Sequence, residues 1–215
     1  SEPQVRPDGK AIAYVRASGD ITTDRMNRSI WLVDAATGAQ QPIAAGPGQH
    51  GSPRWSPDGK RLAYVSSAEG EKPQLLVRWM DSGTVARVAT LTEAPGNLAW
   101  SPDGRRIVCV VDPQSGQHPA PRMALAEIEL AGRGKPRVRE LLRDKDWDFS
   151  APSHSADGTR LAFLAAHQAR SHTMPGQIAM ASLGGKTLRW QVLSAEWDRE
   201  PKAPLVWSDD GAALL

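Results

Sequence analysis

The chain has a single cysteine, Cys109, among 215 residues, which excludes an internal disulfide. It stands inside the apolar run Ile107-Val108-Cys109-Val110, so it reads as a core residue. No stretch of about 18 consecutive apolar residues is present, which excludes a helical membrane span. Charge of one sign is also missing: 26 Lys and Arg stand against 24 Asp and Glu, a net +2. The basic residues are scattered through predicted turns, so no nucleic-acid groove is indicated. Amphipathic helical patterning is nearly absent; Glu140 to Lys145 is the best short candidate, a turn or so long. The start shows no signal-peptide pattern. The absence of disulfides fits cytoplasm or periplasm. A hydrophobic content of 40% supports a sizeable core, in one large all-β domain or two smaller ones.

What the chain does have is a repeat. RWSPDGKRLAYVS, from Arg54 to Ser66, has near copies in QVRPDGKAIAYVR from Gln4, AWSPDGRRIVCVV from Ala99, SHSADGTRLAFLA from Ser153 and VWSDDGAALL from Val206. Ser56-Pro57-Asp58-Gly59 suits a type I turn. Serine favours the first position, proline pre-sets φ at the second, and aspartate suits the third. Glycine closes the turn because it takes positive φ without steric cost, and a type I turn followed by such a residue is a common hairpin connection. The glycine is present in all five copies, at Gly9, Gly59, Gly104, Gly158 and Gly211.

Each copy therefore reads as strand, tight turn, strand, giving hairpins near residues 4–16, 54–66, 99–111, 153–165 and 206–215. The strand after the turn is apolar on both alternating faces, as in Leu62 to Val65, so it is covered on both sides. A second hairpin follows each of the first four. Ser29 to Val33 turns at Thr37-Gly38, and Leu75 to Met80 turns at Ser82-Gly83 into Val85 to Ala89. Ala124 to Leu130 turns near Gly132 to Gly134 and returns through Val138. Ile178 to Ala181 turns at Gly184-Gly185 into Leu188 to Val192. Turn-opening positions 6, 56, 101, 155 and 208 recur every 45 to 54 residues. Four short strands per unit of this length mark a β-propeller blade, whereas a sandwich would show no such period. The predicted fold is an all-β propeller over residues 1–215: about four complete blades and part of a fifth, an incomplete ring. The chain opens on a strand and stops inside a hairpin, so it is expected to be a fragment of something longer. Uncovered end blades, at Ile12 to Tyr14 and at Ile178 to Met180, would then favour self-association.

Candidate functional groups are few. Asp144, Asp146 and Asp148 form one acidic group, and Glu196, Asp198 and Glu200 form another, with Arg199 among them. Both precede the first strand of a blade, so equivalent loops would carry them to one face. Carboxylates there can bind an ammonium group, or a hard cation through their oxygens; as ordinary loop charges they would be solvated, paired as Asp198 with Arg199, or capping backbone amides. Gly46-Pro47-Gly48-Gln49-His50-Gly51 matches a dinucleotide motif by letter. Pro53 and a strand follow where a helix is required, so it reads as an inter-blade loop. His50, His118, His154, His167 and His172 show no metal-ligand spacing, and no metal or cofactor site is expected. Trp55, Trp100 and Trp207 share one repeat position, where packing between blades, with the indole N–H on a carbonyl, is the expected role. His154 replaces that tryptophan. The Ala166 to Gly176 loop is long and carries Arg170, His172 and Met174.

Three stretches carry a family likeness. Asn27-Arg28-Ser29-Ile30-Trp31-Leu32-Val33-Asp34, with Thr37-Gly38, resembles the first blade of prolyl oligopeptidase-family serine peptidases, most of all the acylaminoacyl-peptidase and dipeptidyl-aminopeptidase branch. Trp197-Asp198-Arg199 before the Trp207 to Gly211 turn, and Asp146-Trp147-Asp148 leading to Pro152 and the Ser155 to Gly158 turn, are similar to later blade junctions of that branch. The resemblance implies a propeller shielding a separate α/β-hydrolase domain and admitting short peptides to it. No Gly-x-Ser-x-Gly elbow occurs in these 215 residues, so no catalytic residue is assigned. A stand-alone propeller similar to the Tol-system protein, working by protein contacts, is the alternative, and a propeller enzyme with a site on its own loops is a third.

Overall fold

The computed structural model describes residues 3–22, 24–68, 71–90, 93–117, 120–130, 136–185 and 188–214. Gly70, His118 and the Gly132 to Gly134 turn lie outside them. The regular elements are β-strands, apart from a short 3-10 turn at Gln168–Arg170. The chain divides into two compact units, residues 1–95 and 96–215.

The first unit holds two blades. β1 (Gln4–Val5), β2 (Ala11–Asp20), β3 (Arg25–Asp34) and β4 (Gln40–Ala44) pair antiparallel in chain order. β5 (Gly48–Trp55), β6 (Arg61–Ala68), β7 (Gln74–Trp79) and β8 (Val85–Thr90) do the same. One parallel pair, Arg28 opposite Gln49, joins the blades. The second unit repeats the plan with β9 (Gly96–Trp100), β10 (Arg106–Val111), β11 (Ala124–Glu129) and β12 (Arg137–Leu142). β13 (Trp147–His154), β14 (Arg160–His167), β15 (Gln177–Ser182) and β16 (Arg189–Val192) form the next blade. A further hairpin is represented by the Trp207–Leu214 bridge. Four-stranded meanders repeated in this way are the blades of a β-propeller.

In the second and third blades the second strand is buried along four consecutive residues, as its two-faced apolar pattern requires. Leu62, Ala63, Tyr64 and Val65 are all buried, and so are Ile107, Val108, Cys109 and Val110. Burial pushes the Cys109 thiol up to about 12, so it stays protonated and inert. In the fourth blade the core turns aromatic: Phe149 meets Phe163 at 5.2 Å and Trp190 at 5.2 Å, both edge-on.

The repeated turn is a small hydrogen-bonded knot. Gly59 takes φ +65° and its N–H donates to the Ser56 carbonyl at 2.8 Å. The Ser56 hydroxyl donates to Asp58 Oδ1 at 2.5 Å and accepts from the Arg61 N–H at 2.9 Å. Ser56, Ser101 and Ser155 are fully buried. The same bonds recur at Ser101–Asp103, Ser155–Asp157 and Ser208–Asp210. In the first blade Arg6 replaces the serine and grips Asp8 through Nε at 2.7 Å and Nη2 at 2.6 Å.

Two sequence expectations need correction. Glu140 to Lys145 is no helix: Arg137–Leu142 is strand β12, drawn into the sheet by pairing with β11. Likewise the glycine-rich stretch from Gly46 is not a loop throughout, since Gly48 to Gly51 are the first residues of β5. The structure also shows a feature that nothing in the sequence announced. Ser52, Asn97 and Ala151, each four residues before a turn serine, have φ of 52°, 47° and 49°. At each one the pairing register slips, between Gly51 and Arg54 and at the matching places in β9 and β13. These are β-bulges, one extra residue in the first strand of each of these three blades.

Candidate functional site

In the second unit a cleft of about 680 Å³ opens beside the start of β13, between the approach to β11, the residues ahead of β13 and the end of β14. Asp146 and Asp148, two of the residues singled out above, both line it. They differ in state. Asp148 is half-buried, and its Oδ1 accepts from the Met123 N–H at 2.7 Å and from Gln168 Nε2 at 3.1 Å. It thereby ties together chain segments 20 and 25 residues away and caps a backbone amide. Asp146 is exposed on the rim, 3.7 Å from Lys145 Nζ. Its own backbone is fixed: its N–H donates to Asp144 Oδ1 at 2.9 Å, and its carbonyl accepts from the Gln168 N–H at 2.9 Å.

Behind its lining residue His167 the packing is aromatic. His167, the last residue of β14, meets Trp147 edge-on at 5.0 Å, and Trp147 meets Trp190 at 5.8 Å. His167 Nδ1 is buried without a hydrogen-bond partner. Arg122 and Lys145 add positive charge, so the cleft carries both signs. An exposed carboxylate beside cations suits a small zwitterionic ligand. Among the described residues no group of three or more His, Cys, Asp or Glu side chains is placed to hold a metal ion.

The second acidic group is in different surroundings. Glu196, Asp198 and Arg199 are exposed in the segment after β16 and do not line the cleft. Glu200 Oε1 lies 3.7 Å from where a side chain on Gly176 would stand, at the far end of the long loop. Trp197 lines a smaller groove of about 260 Å³ with Leu193, Ile178 and Trp207. Sequence reading missed Met123 and Gln168 as partners of Asp148. They come from other connections, and no motif signals a bond made by a main-chain N–H.

Two of the recurring tryptophans bond to the preceding blade. Trp55 Nε1 donates to the Gln4 carbonyl at 3.0 Å, and Trp207 Nε1 to the Ser153 carbonyl at 3.1 Å. Where His154 takes this place, burial pushes its pKa down to about 4, helped by the Arg106 guanidinium. No helix among the described residues is long and apolar enough to cross a membrane.

The peptidase YuxL of Bacillus subtilis (strain 168), itself described as uncharacterized, is 35% identical over 95 residues, covering 44% of this chain and 14% of that protein. TolB from Acinetobacter baumannii superposes with a TM-score of 0.64 at 24% identity, over 89% of this chain and 43% of TolB. The acylaminoacyl peptidase of Pyrococcus horikoshii gives a TM-score of 0.64 at 15% identity, over 90% of this chain and 33% of the peptidase. At these identities the two structures show the shared propeller fold. The likeness to propellers of the peptidase family, read from the sequence, is thus met in relatives and neighbours, and Tol-system propellers appear beside them. The matches reach no more than 14% of the length of the curated relatives. The TolB beta propeller domain profile, PD40, matches residues 1–126, more than half of the chain, and the protein belongs to that family.

Proposed function

We propose that the chain is the non-catalytic propeller of a serine peptidase of the prolyl oligopeptidase family, admitting short peptides to a separate α/β-hydrolase domain. The observation that carries this reading is the 35% identity to a peptidase over 95 residues. The absence of a Gly-x-Ser-x-Gly elbow in the sequence fits a part that does no bond cleavage itself. In this reading the cleft at Asp146 holds a peptide's ammonium end by a charge-assisted hydrogen bond, while Asp148 keeps the cleft in shape. Glu196, Asp198 and Arg199, exposed after β16, are available to contact the hydrolase domain.

The test is to sequence the gene beyond Leu215. A Gly-x-Ser-x-Gly elbow after a strand, followed by the aspartate and histidine of a triad, is the expected result. Further blades and a stop codon would overturn it. That outcome would favour a stand-alone, protein-binding propeller, a second reading supported by the family profile and by the likeness to TolB.

A further inference from the structure

We infer that a cleft of about 350 Å³ between the two blades of the first unit binds the C-terminal carboxylate of a short peptide. The inference rests on the short-peptide reading above and adds a ligand group and a site to it. Two arginines, Arg28 and Arg54, line the cleft, and no acidic residue is among its lining. The β2–β3 register sets Arg28 opposite Ala17, and Val15 lies two residues along on the same face. Val15, Ala17 and Arg28 thus line the cleft from the first blade. The Arg28–Gln49 pair brings β5 alongside β3.

The bulge at Ser52 supplies the second guanidinium. Its extra residue slips the register between Gly51 and Arg54, and the left-handed Ser52, φ 52°, swings the chain at the cleft wall. Arg54 Nη1 donates to the Pro53 carbonyl at 2.9 Å, which fixes the plane of the fork. Bulges stand at the matching places of the next two blades, so the bulge itself is architectural. The arginine is not: Gln4, Ala99, Ser153 and Val206 occupy the position of Arg54 in the other copies. Two arginines beside Val15, Ala17 and Pro53 match a carboxylate attached to an aliphatic residue, because the planar fork pairs both carboxylate oxygens while the adjoining side chain meets the apolar residues.

The test is isothermal titration of the protein with three peptides, all N-acetylated so that the Asp146 cleft does not contribute: Ac-Ala-Ala-Ala free acid, the same peptide as its amide, and Ac-Ala-Asp-Ala amide. We expect the free acid to bind, and both amides to bind about tenfold more weakly or worse, the loss of one hydrogen bond to a charged group. Arg28→Gln and Arg54→Gln should each weaken the free acid by about tenfold while leaving the circular dichroism spectrum unchanged. Equal binding of acid and amide, or unchanged binding by both variants, overturns the carboxylate site and leaves the peptide reading standing. Equal binding of the aspartyl amide assigns the site to a side-chain carboxylate and overturns the C-terminal assignment. Binding of none of the three overturns this site, while the gene beyond Leu215 still decides the peptidase reading.

Discussion

The indole N–H of Trp55 donates to the backbone carbonyl of Gln4 at 3.0 Å, across 51 residues of sequence and from one blade to the blade before it. Trp207 repeats the bond to Ser153. One side chain thus packs between neighbouring sheets and bonds a carbonyl in the first strand of the preceding blade. Trp55→Phe keeps most of the packing and strands that acceptor, at a cost of about 1 kcal/mol. Urea unfolding should show the loss for Trp55→Phe and Trp207→Phe. Trp197→Phe, at a side chain 56% exposed, should change little.

Gly59, Gly104 and Gly158 sit at φ +65°, +66° and +70°. Alanine at each should destabilise by about 1 kcal/mol or more, because a Cβ is strained in the left-handed region. Gly59 should suffer most, since its Cβ would stand 3.2 Å from Arg6 Cγ. Gly19 lies in an open place in β2 without positive φ, and Gly19→Ala is the control expected to be neutral or stabilising. Midpoints of chemical denaturation for the four variants check this, and equal, negligible shifts at the three turn glycines would refute the turn assignment.

The buried serine hydroxyls hold the turns from inside. Ser101→Ala leaves the Arg106 N–H and the Asp103 carboxylate without their bonds at 2.9 and 2.5 Å. The expected loss is about 1 to 3 kcal/mol, read from a shift of the thermal midpoint.

Turn carboxylates also set the acid limit. Bonds from the Ser155 hydroxyl, then the Thr159 N–H and hydroxyl, pull the Asp157 carboxyl down to about 2 from its ordinary 3.8. Its folded pKa is depressed, so its stabilisation is complete above the unfolded value and is lost as pH falls through 3.8 toward about 2. Asp157→Asn should flatten that part of the curve of stability against pH.

His154 acts at milder pH. Its ring is held neutral by burial, with Arg106 opposing its protonation and Glu127 and Asp103 favouring it less strongly. The unfolded chain takes up the proton near pH 6.5 and the folded one only near 4, so stability should fall as pH drops between these values. His154→Gln should remove much of that slope in thermal melts at pH 7 and pH 4.5. Part of it should remain, because burial depresses His50 in the same direction.

The propeller was legible in the sequence because its signals are local. A turn of Ser-Pro-Asp-Gly needs only its own four residues, and a strand apolar on both faces must be covered on both, so the recurrence of the two spells out blades. The left-handed bulges at Ser52, Asn97 and Ala151 carried no signal, since three different residues adopt a backbone form that glycine would advertise; the pairing of β5, β9 and β13 with their neighbours imposes it. Asp146 and Asp148 were picked out by type and position, yet only the fold separated them: Met123 and Gln168, brought in by other connections, occupy Asp148, while Asp146 stays on the rim. The sheet pairing of β11 likewise took Arg137–Leu142 as a strand where local pattern suggested a helical turn. The sequence by itself determined the repeat, its turns and its buried strands, because these follow from neighbours along the chain. Only the tertiary structure decided which carboxylate is engaged and where two arginines share a cleft, because those depend on main-chain groups and side chains that sequence distance keeps apart.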